Sequence, residues 1–177
     1  PCDSVEAKKA TKISSKIWGP VYLRFAREKS PTITTDATPF TPGKAEVFWQ
    51  VARPEVLIVA CGPLLYQALL AARELEKEKI GVIVLNSHTV KPLDEEKIVD
   101  LAKRCGAVVT VEEHQVLGGL GGAVSELLSK HHPVPMEFIG MQDTFGESGP
   151  PAKLVEQYGM DKTAIMKAVR RVVIRKK

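Results

Sequence analysis

Three short runs limit what this 177-residue sequence can fold into: Val56 to Ala60 (V-L-I-V-A), Gly81 to Leu85 (G-V-I-V-L) and Ala107 to Val111 (A-V-V-T-V). They are nearly continuous in apolar residues, whereas a strand with one wet face would alternate. Strands buried on both faces belong to mostly parallel sheets covered by helices on either side. Helical spacing fills the gaps between them. Leu65, Ala68, Leu69, Ala72 and Leu75 share one helix face, and Ile98, Leu101, Ala102 and Cys105 share another, with Asp94 as the expected cap and Gly106 as the close. A third helix is expected from Gly121 to His131 and a last strand from Val134 to Ile139. A C-terminal helix starts near Asp161 with Ile165, Val169, Val172 and Val173 inward, and Val47 to Val51 adds an edge strand. The pattern predicts a three-layer α/β/α fold with a mostly parallel sheet.

The first 44 residues are organised differently. Residues Asp3 to Ile17 read as a helix capped by Asp3, with Glu6 in the capping-box position and Ala10, Ile13 and Ile17 on one face. Gly19-Pro20 ends it, and Val21 to Phe25 reads as a short strand. Prolines and threonines then replace any periodicity from Glu28 to Lys44, as in an extended linker. The expected division is therefore the tail of a preceding domain over 1–27, a linker over 28–44 and an α/β domain over 45–177. The start Pro-Cys-Asp, with neither an initiator Met nor a signal segment, leads us to expect a cytoplasmic protein and a piece of a longer chain.

Charge narrows the partners. The net charge is +4, but five positive residues, Arg170, Arg171, Arg175, Lys176 and Lys177, lie in the last eight positions, and the remainder is close to neutral. A nucleic-acid surface would spread its basic residues over one face, so no nucleic acid is expected, and the tail reads as a solvated helix end favoured by the helix dipole. No apolar run approaches the roughly 20 residues that cross a membrane, so no membrane partner is expected. Cys2, Cys61 and Cys105 form no C-x-x-C pair, which excludes a local zinc ribbon or thioredoxin-type motif.

Few residues offer chemistry on spacing alone. Gly118-Gly119-Leu120-Gly121-Gly122 precedes a helix, where backbone amides can cradle an anion. Val124 breaks the G-x-G-x-x-G frame and no Lys-Ser or Lys-Thr follows, which favours a tight structural turn. Glu112-Glu113-His114 ends a strand, where open α/β sheets place ligands. Adjacent strand residues face opposite sides, so the two carboxylates cannot pair, and His114 remains open as a proton carrier, a domain contact or a loop residue. His131-His132 lack the helical i, i+4 spacing of metal ligands, so no metal site is expected. Ser148 has Pro150 where a nucleophile elbow needs glycine. Arg24 and Arg27 flank the end of the first strand, where a guanidinium can fork onto a phosphate or form a surface ion pair.

An ordered series of blocks nevertheless resembles the C-terminal part of the transketolase family. Pro1-Cys2-Asp3 with Glu6-Ala7 and Ala10 resembles the last helix of that family's pyrimidine-binding domain, and Gly19 to Arg27 its last strand. Gly43-Lys44-Ala45, Asn86 to Asp94, Val109 to His114, Gly118 to Gly122, Phe145 to Gly149 and Tyr158-Gly159 continue the series through the C-terminal domain. The resemblance implies an enzyme of the pentose phosphate pathway that uses thiamine diphosphate and magnesium to move two-carbon ketol units between sugar phosphates, working as a homodimer. It implies a five-stranded sheet with one antiparallel edge strand, and assigns the substrate's phosphate to Arg27. It places cofactor, metal and catalytic glutamate in other domains, so this stretch is expected to bind no cofactor and to be inactive without the rest of the chain or a partner subunit. Deoxyxylulose-phosphate synthase and the beta subunits of 2-oxoacid dehydrogenases share several blocks, and a nonenzymatic anion-binding module is the alternative of another class.

Overall fold

The computed structural model describes residues 1–176; Lys177, the last residue of the basic tail, lies outside them. Five strands, β1 (Glu46–Gln50), β2 (Val56–Ala60), β3 (Val82–Asn86), β4 (Val108–Gln115) and β5 (Met136–Met141), form one sheet in the order β1-β3-β2-β4-β5. β1 runs antiparallel to β3 at the edge, and every other pairing is parallel.

Strand alternation divides the core. Val56, Ile58 and Ala60 face a layer built by α2 (Leu65–Lys77) and α6 (Lys162–Arg175), with Leu65, Ala68, Leu75, Ile165 and Val169 buried against them. Leu57 and Val59 face the opposite layer, α3 (Glu95–Cys105) and α4 (Leu120–His131), through Ile98, Leu101, Val124 and Leu128. β2 and β3 are buried at all five positions, as their continuous apolar runs require. α3 ends where Gly106 adopts φ 73°, a left-handed conformation that a side chain disfavours.

Two local expectations need correction. Asp94 does not cap α3 with its side chain. Its carboxylate instead accepts the Ala45 N–H at 3.0 Å and lies 3.5 Å from Lys44 Nζ, while Lys97 donates to the Ala45 carbonyl. The start of β1 is thereby pinned to the start of α3, which uses Asp94 for a long-range bond rather than a local one. Val21 to Phe25, expected as a strand, has no regular structure. Its backbone has no neighbouring strand among the described residues, and an isolated strand cannot satisfy its own amides.

The basic tail packs onto the body. Arg170 pairs with Glu78 at 2.6 Å, and Arg171 and Arg175 both pair with Glu137 at 2.8 Å. Lys176 donates to the Glu55 and Cys105 carbonyls. No helix of the described residues is long and apolar enough to cross a membrane.

Candidate functional site

The N-terminal helix α1 (Ser4–Ser14) starts at Asp3, whose carboxylate accepts the Glu6 N–H at 2.9 Å as expected of a cap. The other half of the expected capping box is absent. Glu6 reaches past Asp3, accepting the Cys2 N–H at 2.6 Å and the Asn86 side-chain amide at 2.7 Å. Because Asn86 ends β3, this buried carboxylate ties α1 to the sheet.

An arm leaves α1 and returns at residues 33–34. It exposes Trp18, Tyr22 and Phe25, and with them Arg24 and Arg27. Neither guanidinium has an ion-pair partner among the described residues, so both are available to an external anion. A groove lined by Asp3, Ser4 and Ala7 on one side and Phe25, Ala26 and Glu28 on the other runs past Arg27's neighbours. The arm's return is held by Asp3, which also accepts the N–H groups of Ile33 and Thr34.

The glycine loop is already filled. Glu112, only 2% exposed, places Oε2 2.7 Å from Leu120 N and Oε1 2.7 Å from Gly121 N, so two free amides of α4 donate to a carboxylate of the same chain. A Cβ added at Gly119 would fall 2.1 Å from Glu112 Oε2, and one at Gly121 would fall 2.8 Å from Phe138 Cδ1. Glycine is needed here for close approach. Burial pushes the Glu112 carboxyl above its ordinary value, against the opposing pull of those two amides and of the His114 and Arg24 charges. The anion-binding module is thereby disfavoured, because the cradle it would use holds Glu112. The one sequence signal was an acid eight residues before a glycine-rich helix start, and nothing in its spacing declared that partnership.

The remaining candidates do not converge. Glu113 and His114 are exposed, with His114 Nδ1 3.1 Å from the Gln115 carbonyl oxygen. His131 is exposed on the far end of α4. Ser148 is exposed in the loop before α5 (Pro151–Gln157), next to Glu147, whose N–H donates to the Tyr158 hydroxyl at 2.9 Å. Burial raises all three thiols, Cys61 to about 12 and Cys105 to about 11, so none is a ready nucleophile. Among the described residues no three His, Cys, Asp or Glu side chains gather as metal ligands.

Residues 43–165 match the family model for the transketolase C-terminal domain. A 6-deoxy-6-sulfo-D-fructose transketolase subunit of Clostridium sp. (strain MSTE9) is 41% identical over 99% of this chain and 54% of its own length. Transketolase of Rattus norvegicus is 36% identical over 98% of this chain and 28% of its own length. The chain thus spans about half the length of the former relative and less of the latter. A solved split-gene transketolase, an inactive beta4 tetramer, superposes with a TM-score of 0.94 at 39% identity, covering 100% of this chain and 57% of that one. Transketolase of Campylobacter jejuni shares the fold at a TM-score of 0.73 and 22% identity, over 97% of this chain and 25% of that one. By its sequence blocks, its sheet and these matches, the chain belongs to the transketolase C-terminal domain family.

Proposed function

We propose that this chain is the C-terminal portion of a working transketolase, cytoplasmic and homodimeric when complete, which moves two-carbon ketol units between sugar phosphates. The observation that carries this reading is the whole-chain similarity to a transketolase subunit that is itself about twice as long. The remainder of the enzyme, as further chain or as a partner subunit, covers the exposed Trp18, Tyr22 and Phe25. The described residues do not fit thiamine diphosphate and magnesium: no metal-ligand cluster gathers among them, and the amides of α4 that could meet a diphosphate are held by Glu112. On this reading, cofactor binding and bond breaking belong to the remainder.

The contribution of this chain to the substrate is Arg27, an exposed guanidinium with no ion-pair partner among the described residues, whose neighbours Ala26 and Glu28 line a groove and which forks onto the anionic tail of the sugar. A sulfonate offers the same oxygen geometry as a phosphate, and the Clostridium relative is named for a sulfonated sugar. The tail lies far from the reacting carbonyl, so the contact supplies mainly uniform binding. In the assembled enzyme, Arg27→Ala should raise KM for sugar phosphates about 10- to 150-fold, corresponding to roughly 1.5–3 kcal/mol for a charge-assisted bond, with little change for an unphosphorylated donor. A parallel assay with a sulfonated sugar separates the two tail chemistries. Equal losses on charged and uncharged substrates would make Arg27 a structural residue and remove it from the site.

A further inference from the structure

Asp3 does far more than cap a helix. It is 4% exposed, and its carboxylate accepts four hydrogen bonds: at Oδ1 from Glu6 N (2.9 Å) and the Thr34 hydroxyl (2.7 Å), and at Oδ2 from Ile33 N (2.8 Å) and Thr34 N (2.6 Å). One donor belongs to the first turn of α1 and three to residues 33–34. The stretch between these donor sets includes the arm with Trp18, Tyr22, Phe25, Arg24 and Arg27, so a single carboxylate closes the base of the loop that carries the candidate substrate arginine. The closure is reinforced from α1, where Lys9 Nζ donates to the Thr35 carbonyl at 2.6 Å and the Thr38 carbonyl at 2.5 Å. It is grounded in the sheet by Glu6, which holds the Asn86 amide at the end of β3.

A path of hydrogen bonds thus runs from the rigid sheet through Glu6 and α1 to Asp3, and from Asp3 to the returning end of the arm. The arm has no secondary structure of its own to fix its direction. Among the described residues, the end of the arm that carries Arg27 is tied to the sheet through this base, while the proposed remainder of the enzyme packs against the arm from outside. We propose that Asp3 is a positioning residue for Arg27, acting on the binding of the substrate's anionic tail and not on the chemical step.

The proposal rests on the Arg27 reading, and one set of variants separates the two. In the assembled enzyme, Asp3→Asn keeps the shape of the side chain but replaces an acceptor oxygen with a donor, breaking the closure. It should raise KM for a sugar phosphate by about tenfold, the lower end of the range for a lost charge-assisted contact, while kcat and the KM of an unphosphorylated donor stay within about twofold. Thr34→Val removes one of the four bonds and leaves the acid, so it should shift the same KM in the same direction by less. It also serves as the test if Asp3→Asn fails to fold. In an Arg27→Ala background neither variant should raise KM for the phosphorylated sugar further, because two residues that act through one contact are not additive. If Arg27→Ala discriminates between phosphorylated and unphosphorylated substrates but Asp3→Asn and Thr34→Val do not, or if their effects simply add to that of Arg27→Ala, Asp3 is only a stabilising cap and the proposal is overturned. If Arg27→Ala itself does not discriminate, the Arg27 reading falls and the positioning role falls with it.

Discussion

Asp3 and Glu112 are both buried carboxylates held by backbone amides, yet their proton affinities move in opposite directions. Burial works to raise Asp3, but the bonds from Glu6, Thr34 and Ile33 together outweigh it and hold the group below its ordinary value. A carboxyl lowered in the folded state stabilises the fold above its unfolded pKa, about 3.9, and loses that contribution as pH falls through the folded value. Asn imitates the protonated acid. Asp3→Asn should therefore melt below the wild type at pH 7, with the gap closing below about pH 4 in a series of thermal melts. A gap that persists in acid would assign the loss to geometry alone. Glu112 is raised, chiefly by burial, so the stability its protonation adds is fully present below the unfolded carboxylate value and is lost as pH rises through its folded value. Close packing at the same turn gives a second test. Gly121→Ala drives a Cβ to 2.8 Å from the Phe138 ring and 3.3 Å from Glu112 Oε1. At about 1–3 kcal/mol for overpacking, Tm should drop by roughly 2–12 °C, and added phosphate should leave both proteins unchanged. The sequence revealed Asp3 as a cap and the glycines as a tight turn. It did not reveal that Asp3 also binds residues 33–34, because a bond across thirty positions leaves no local spacing to read.

Elements whose partners lie within the chain were legible, and the one that lacks a partner was not. β2 and β3 announced themselves through unbroken apolar runs, and α3 through the stripe Ile98, Leu101, Ala102 and Cys105 ending at Gly106. The strand expected at the edge over Val47 to Val51 is β1, which lies at the sheet edge with only partial and irregular burial. Val21 to Phe25 has the composition of a strand but no neighbour to bond with, so local propensity alone could not make it one. Its exposed backbone and aromatic side chains give a direct expectation. Brief trypsin treatment of the chain alone should cut first within the arm, after Lys16, Arg24, Arg27 or Lys29, leaving the α/β body intact. Assembly with the remainder of the enzyme should protect those bonds. First cleavage inside β2 to α4, read by mass spectrometry, would show that the arm is not the least protected element.

In the whole molecule, the decisive feature is what fills the carboxyl end of the sheet. Open α/β sheets bind ligands where successive crossovers leave in opposite directions. Here that point lies between β2 and β4, since β3 pairs on one side of β2 and β4 on the other. The turns following those strands border the crevice. Glu112 at the end of β4 occupies the amides of α4, Cys2 and Asp3 are buried just before α1, and Glu6, buried in the first turn of α1, joins that helix to Asn86 at the end of β3. The place where an independent domain of this topology would hold a phosphate has been closed with the chain's own carboxylates. An added diphosphate would have to displace Glu112 from two short bonds inside a buried turn, with no metal-ligand cluster among the described residues to help. The expectation is that thiamine diphosphate with magnesium, titrated calorimetrically into this chain alone, gives no saturable heat, and that heat and ketol transfer both emerge when the remainder of the enzyme is supplied. Micromolar binding by the chain alone would mean that the crevice opens, and would return the cofactor site to this domain. Glu112→Gln distinguishes that case, because loss of the internal anion should strengthen any diphosphate binding at the α4 amides and leave binding elsewhere unchanged.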